Sequence, residues 1–171
     1  MIKSICTAQA LGEKMIESWM IIGSVTLLVG LGSSLFRPRD IGWVKNLDRP
    51  KWLFFEPAIP FIWTVIFISG AISATLVWEE DPGSVKTWLL MVSYLIVEIV
   101  TVAYIPATLR SRSLIVGTVL GGIGAILGVL LLLTVLPISR TAALLLLPYV
   151  VWTPIGTYTT RKMIDLNPTS A

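Results

Sequence analysis

The chain has 171 residues, of which 55% are hydrophobic and 13% charged, with a formal net charge of +3. Soluble domains carry about 25% charged residues; here the charges fall in clusters between long apolar gaps, which excludes a water-soluble globular domain and indicates an all-α integral membrane protein. There is no histidine and one cysteine, Cys6, which removes imidazole bases, histidine-ligated haem, an internal disulfide and nearly all zinc sites.

Residues 1–17 read as a short N-terminal tail with Lys3, Glu13, Lys14 and Glu17, whose only apolar stretch, Ile5–Leu11, is too short and mixed for a signal-peptide core. Five uncharged or nearly uncharged runs follow: Ser18–Phe36, Pro57–Trp78, Thr87–Leu109 (broken by Glu98), Ser113–Ser139 and Thr141–Thr160. Each is near or above the ~18 apolar residues expected of a spanning helix, and none alternates as a barrel strand would. Residues 18–167 are therefore expected to form one five-transmembrane-helix bundle, with 168–171 as a C-terminal tail.

The first span, about Trp19–Phe36, opens on an interfacial tryptophan. The connection Arg37–Glu56 is the longest and most basic; it ends in DRPKWLFFEP, an aromatic segment stiffened by Pro50 and Pro57 that feeds directly into the second span and Trp63. Such a segment is suited to closing over a pocket walled by the helix it enters. Glu79-Glu80-Asp81-Pro82-Gly83 is a solvated turn.

Glu98 sits in the middle of the third span, where a charged carboxylate costs about 2.5–3.5 kcal/mol on insertion scales. It is expected to be neutral, paired or turned to a wet cavity, as a structural group or a proton carrier. In the fourth span Gly117, Gly121, Gly124 and Gly128 recur at steps of four and three and so share one stripe. Small residues let a second backbone approach closely; the stripe serves either packing within the bundle or a homodimer seam. In the fifth span Tyr149, Trp152 and Gly156 share a face, and Pro148 and Pro154 remove backbone hydrogen bonds, freeing the carbonyls of Leu144 and Val150. A helix so interrupted at membrane depth must line a cavity or pack internally.

Orientation follows from Lys and Arg. The first loop, third loop and C-terminus hold nine (Arg37, Arg39, Lys45, Arg49, Lys51, Arg110, Arg112, Arg161, Lys162); the other side holds four (Lys3, Lys14, Lys86, Arg140). The positive-inside rule puts the C-terminus and the aromatic loop in the cytoplasm. The net positive charge thus reflects topology in a lipid bilayer, with no nucleic-acid partner implied. No Gly-rich phosphate loop, carboxylate pair or nucleophile–base arrangement appears, so no catalytic or metal-binding residue is assigned.

Pro60-Phe61-Ile62-Trp63-Thr64 and Pro148-Tyr149-Val150-Val151-Trp152, with five spans and a long Trp/Pro first loop, resemble the TspO/MBR family of translocator proteins. The likeness covers about Trp19–Pro168. It implies a five-helix bundle, usually dimeric, with a pocket open toward the first loop that takes porphyrins, sterols and other flat apolar molecules. By motif position it implies Trp63, Tyr149 and Trp152 as pocket residues, with Trp52 in the loop, Phe67 a turn below Trp63, and Thr101 and Tyr104 where the family commonly has asparagine and tryptophan. Two departures stand out: Trp52-Leu53-Phe54-Phe55-Glu56-Pro57 replaces the family's Trp-x-Pro-Pro, and Thr159-Thr160-Arg161 replaces its Leu-Asn-aromatic segment.

The expectation is a multi-pass protein, of a bacterial inner membrane, that binds and transports or senses a tetrapyrrole or sterol-like molecule. It needs no cofactor, takes porphyrin or haem as ligand, and forms a homodimer. Two alternatives stand beside this: a membrane enzyme that degrades porphyrin, which only tryptophan redox chemistry could support, and a small proton-coupled carrier using Glu98.

Overall fold

The structure is a computed structural model that describes residues 17–34 and 38–170, excluding the side chains of 38 and 39. Residues 1–16 of the N-terminal tail, with Cys6, and Phe36 at the expected end of the first span lie outside these residues. Seven α-helices and three short 3-10 turns make up the described part, which contains no strand.

The first helix, α1 (Ser18–Leu31), continues through a 3-10 turn, Gly32–Ser34. At about 1.5 and 2.0 Å per residue respectively, the two reach about 27 Å, just short of a ~30 Å hydrocarbon layer. Trp19 is exposed at its start and donates its indole N–H to Glu17 at 2.7 Å. Four later helical segments are long and apolar enough to cross on their own: Glu56–Glu80, Val85–Ser111, Leu114–Val135 and Arg140–Leu166. The expected five spans are thus four full-length helical segments and one shorter apolar helix.

The first loop contains a helix with no apolar run to announce it, α2 (Pro38–Lys45). A 3-10 turn at Glu56–Ala58 then leads into α3 (Ile59–Glu80), which takes Pro60 in its first turn, where a missing N–H costs nothing. Helix α4 (Val85–Ser111) starts two residues before the uncharged run. Ser84 caps it by accepting the Thr87 N–H at 3.1 Å, and Arg112, with φ of 51°, ends it in the left-handed region. Helix α5 (Leu114–Val135) follows immediately and is capped by Ser113.

The last span is broken. Helix α6 (Arg140–Leu145) stops at Leu146, and α7 (Leu147–Leu166) begins with Pro148 in its first turn. The Leu146 N–H turns to the Ala143 carbonyl at 3.1 Å, a 3-10 bond. The Ala142 carbonyl, which a continuous helix would have bonded to Leu146, instead accepts from the Ser73 hydroxyl of α3 at 2.7 Å. Ser73 also pairs with the Tyr94 hydroxyl of α4 at 2.6 Å. A buried backbone group must find a partner, and a serine on α3, packed against α6, supplies it. Ser73, Val77, Val135 and Ala142 are almost wholly buried around this point, the tightest part of the core.

The glycine stripe is taken up inside the bundle, where α5 makes its most extensive contacts with α7 and α4. A Cβ on Gly117 would lie 2.7 Å from the Thr108 hydroxyl and 3.3 Å from the Thr160 methyl; one on Gly121 would overlap the Thr157 hydroxyl; one on Gly124 would lie 2.9 Å from the Tyr149 hydroxyl. Thr153, Thr157 and Thr160 return their hydroxyls to carbonyls one turn back along α7. Their polar demand is met within the helix, so they can pack on the glycines at no desolvation cost.

Candidate functional site

The charge-rich first loop and the end of α7 meet at the same end of the bundle. Asn167, buried just past α7, accepts the Asp48 N–H at 2.8 Å and donates to the Asp48 carbonyl at 2.9 Å and to the Met163 carbonyl at 2.8 Å. Its side-chain amide thus satisfies both backbone groups of one loop residue, as a neighbouring strand would. Leu47 and Pro50 are buried beside Asp48. Within the loop, Arg49 pairs with Glu56 at 2.8 Å and donates to the Leu47 carbonyl at 3.1 Å. Both side chains of the ion pair are partly exposed, so the pair shapes the loop more than it stabilises the fold.

The loop so held lays its rings on α7. Phe55 meets Trp152 edge-on with centroids 6.1 Å apart, and Trp52 lies over Tyr158 at 6.2 Å with the planes 29° apart. Phe54 and Trp52 close on Phe55 at 5.7 and 6.2 Å. Edge-on and offset pairs of this kind are each worth about 0.5–1.5 kcal/mol beyond the area they bury. Phe54 nevertheless remains 85% exposed and Trp52 40%. An aromatic surface is therefore displayed on α7, and the loop's own rings cover it.

Deeper in the bundle, Trp63 contacts Phe67 at 6.1 Å and Tyr149 at 6.5 Å. Phe67 and Tyr149 belong to a second feature, a cavity of about 40 Å³ whose lining also includes Tyr94, Glu98, Thr101 and Leu146. The Tyr149 hydroxyl pairs with Thr101 at 2.9 Å and donates to the Gly124 carbonyl at 3.1 Å. Glu98 accepts from the Thr26 hydroxyl of α1 at 2.6 Å. Pockets for drug-sized ligands run about 300–1,000 Å³, so this cavity in its present form holds a small group and not a macrocycle.

The seven residues expected to line one hollow therefore divide. Phe67, Thr101 and Tyr149 line the cavity, with Trp63 against their rings. Trp52 and Trp152 belong to the loop-end cluster. Tyr104 lines neither: its hydroxyl bonds Thr160 and ties α4 to α7. Phe55 and Tyr158 complete the aromatic cluster although no family motif points to them; the ring density of the loop was the available signal for Phe55. Nothing in the chain marks Thr26 or Asn167, because their partners lie 72 and 119 residues away. Among the described residues no group of three acidic, cysteine or histidine side chains could hold a metal ion.

Comparison with known proteins agrees with this architecture. The model of the TspO/MBR family matches residues 21–165. The chain is 28% identical over 152 residues to the tryptophan-rich protein TspO of Bacillus cereus, covering 88% of this chain and 97% of that one. It is 25% identical over 161 residues to the tryptophan-rich protein TspO of Chlorobaculum tepidum, covering 91% and 99%. Over 133 residues it is 26% identical to YtaB, an uncharacterized membrane protein of Bacillus subtilis, covering 76% and 83%.

Proposed function

Because this chain belongs to the TspO/MBR family, we propose that it binds a tetrapyrrole, or a similarly flat apolar molecule, at the loop end of the bundle and transports or senses it. The observation that carries this reading is the interleaving of Trp52 and Phe55 with Trp152 and Tyr158. Planar rings from a mobile element type, a loop, rest on planar rings fixed to a helix, and a planar guest can take the place of the loop rings with little change in contact chemistry. The small cavity below is consistent with a closed state that the guest must open by displacing the loop. Lys51, exposed on the loop, is suited to meet a porphyrin propionate, whereas Arg49 is engaged with Glu56.

The same reading puts the loop and the C-terminus in the cytoplasm, by the excess of Lys and Arg on that side, and the protein in a bacterial inner membrane. It includes a homodimer; since the glycine stripe is occupied within the chain, the seam uses another face. Light scattering of the detergent-solubilised protein reads that state directly.

The test of the binding reading is a titration of protoporphyrin IX followed by tryptophan quenching. Trp152→Ala with Tyr158→Ala removes the two helix-borne rings of the cluster and should weaken binding by about tenfold or more, from two lost ring contacts of about 0.5–1.5 kcal/mol each plus their apolar area. Unchanged affinity in the double variant overturns the proposal.

A further inference from the structure

The central cavity has a chemistry of its own that differs from the loop-end cluster. Its lining combines one carboxylate, Glu98, with three aromatic side chains, Phe67, Tyr94 and Tyr149, and contains no lysine, arginine or histidine. Among the described residues, Glu98 has the Thr26 hydroxyl as its hydrogen-bond donor, on one carboxylate oxygen. The hydroxyls of Tyr94 and Tyr149 are already paired, with Ser73 and with Thr101 and the Gly124 carbonyl. The bundle thus holds an acidic group at mid-membrane with no cationic partner on its own walls, amid rings whose faces attract cations.

We infer that this cavity receives the ammonium end of an amine-bearing apolar ligand, with Glu98 as its counter-ion. Volume and charge point the same way. The cavity of about 40 Å³ exceeds the ~10–15 Å³ one water needs, so an ammonium-sized group fits where a ring system does not. An unpaired carboxylate at this depth is costly, and an ammonium brought by the ligand removes that cost while Thr26 keeps its hydrogen bond. Lipid offers no such partner. A carboxylate-bearing guest meets the opposite preference: it is repelled by Glu98 and drawn to the basic loop end.

The inference rests on the reading that the bundle accepts a planar guest, and adds which polar group that guest inserts deepest. Three titrations of the purified protein separate the two: 2-naphthylmethylamine, its neutral counterpart 2-naphthylmethanol, and protoporphyrin IX. The wild type should bind the amine about tenfold or more tightly than the alcohol, the size of one hydrogen bond to a charged group. Glu98→Gln should remove that preference and leave the affinities for the alcohol and for protoporphyrin IX within about twofold, because it deletes the charge and keeps the shape. Equal binding of amine and alcohol by the wild type overturns the inference without recourse to any variant, as does an amine preference that survives Glu98→Gln. Absence of protoporphyrin binding with the amine preference intact overturns the loop-end reading instead.

Discussion

Gly128 faces the Cδ1–Cε1 edge of the Tyr149 ring, and a single methyl there tests whether the α5–α7 seam is as tight as its geometry implies. An added Cβ would lie 2.6 Å from Tyr149 Cδ1 and nearer still to Cε1. The ring is buried and cannot swing away freely, because its hydroxyl is held by Thr101 at 2.9 Å and by the Gly124 carbonyl at 3.1 Å. Overpacking costs about 1–3 kcal/mol, and releasing the ring forfeits two hydrogen bonds of about 0.5–1.5 kcal/mol each. Against this, alanine is the better helix former by about 1 kcal/mol. Gly122, on the same helix, has nothing within 4 Å of its Cβ position, so Gly122→Ala carries the propensity gain without the clash. The difference between the two variants cancels that gain and leaves about 2–6 kcal/mol. For a chain of this length about 4 kcal/mol corresponds to roughly 8–16 °C in Tm. Thermal unfolding in one detergent, followed by circular dichroism, gives both numbers. Equal Tm values for the two variants would refute the tight-seam reasoning. Replacing Tyr149 with leucine should shrink the difference, since the sites are in direct contact and must couple.

Asn167→Ala removes both bonds to the Asp48 backbone; hydrogen exchange across Leu47–Glu56 should rise about tenfold or more, from roughly 1 kcal/mol per bond, and unchanged protection there would show that the aromatic contacts alone hold the loop. Arg49→Ala, by contrast, breaks a partly exposed pair and should change stability by less than about 1 kcal/mol, read as a small, salt-sensitive shift in Tm. Ser73→Ala leaves the Ala142 carbonyl without its donor and the Tyr94 hydroxyl without its partner, so a loss of about 1–3 kcal/mol is expected; a neutral effect would mean the Ala142 carbonyl finds another donor. Ser24→Ala, on an exposed face of α1, is the matching control and should be silent.

Much of the architecture is legible in the chain because the spans are long charge-free runs, and membrane burial tolerates little else. The runs Pro57–Trp78 and Ser113–Ser139 foreshadow α3 and α5 to within a few residues, and the spacing of Gly117, Gly121, Gly124 and Gly128 foreshadows a close contact. What the spacing leaves open is the partner: only the coordinates show threonines of α7 in the seam. Helix α2 is hidden because Pro38–Lys45 carries three charged residues and no span-like run. The site is legible in part. Its rings are announced by motif, but their division between a loop-end cluster and a central cavity depends on where Asn167 pins the loop and on how far α7 runs, six residues past the end of the uncharged run at Thr160. Those are long-range contacts, and local periodicity carries no record of them.

The interruption at Leu146 gives the last helix a fulcrum. Above it α7 continues as one helix through Pro154 to Leu166, bearing Trp152 and Tyr158 along its arm and Asn167 at its tip. Over some twenty residues at 1.5 Å each, a tilt of about 5° at the pivot sweeps the tip through nearly 3 Å. That is enough to part an amide from the backbone it grips, so the hold of Asn167 on the loop depends on the break being fixed in place, as the Ser73 bond to the Ala142 carbonyl fixes it.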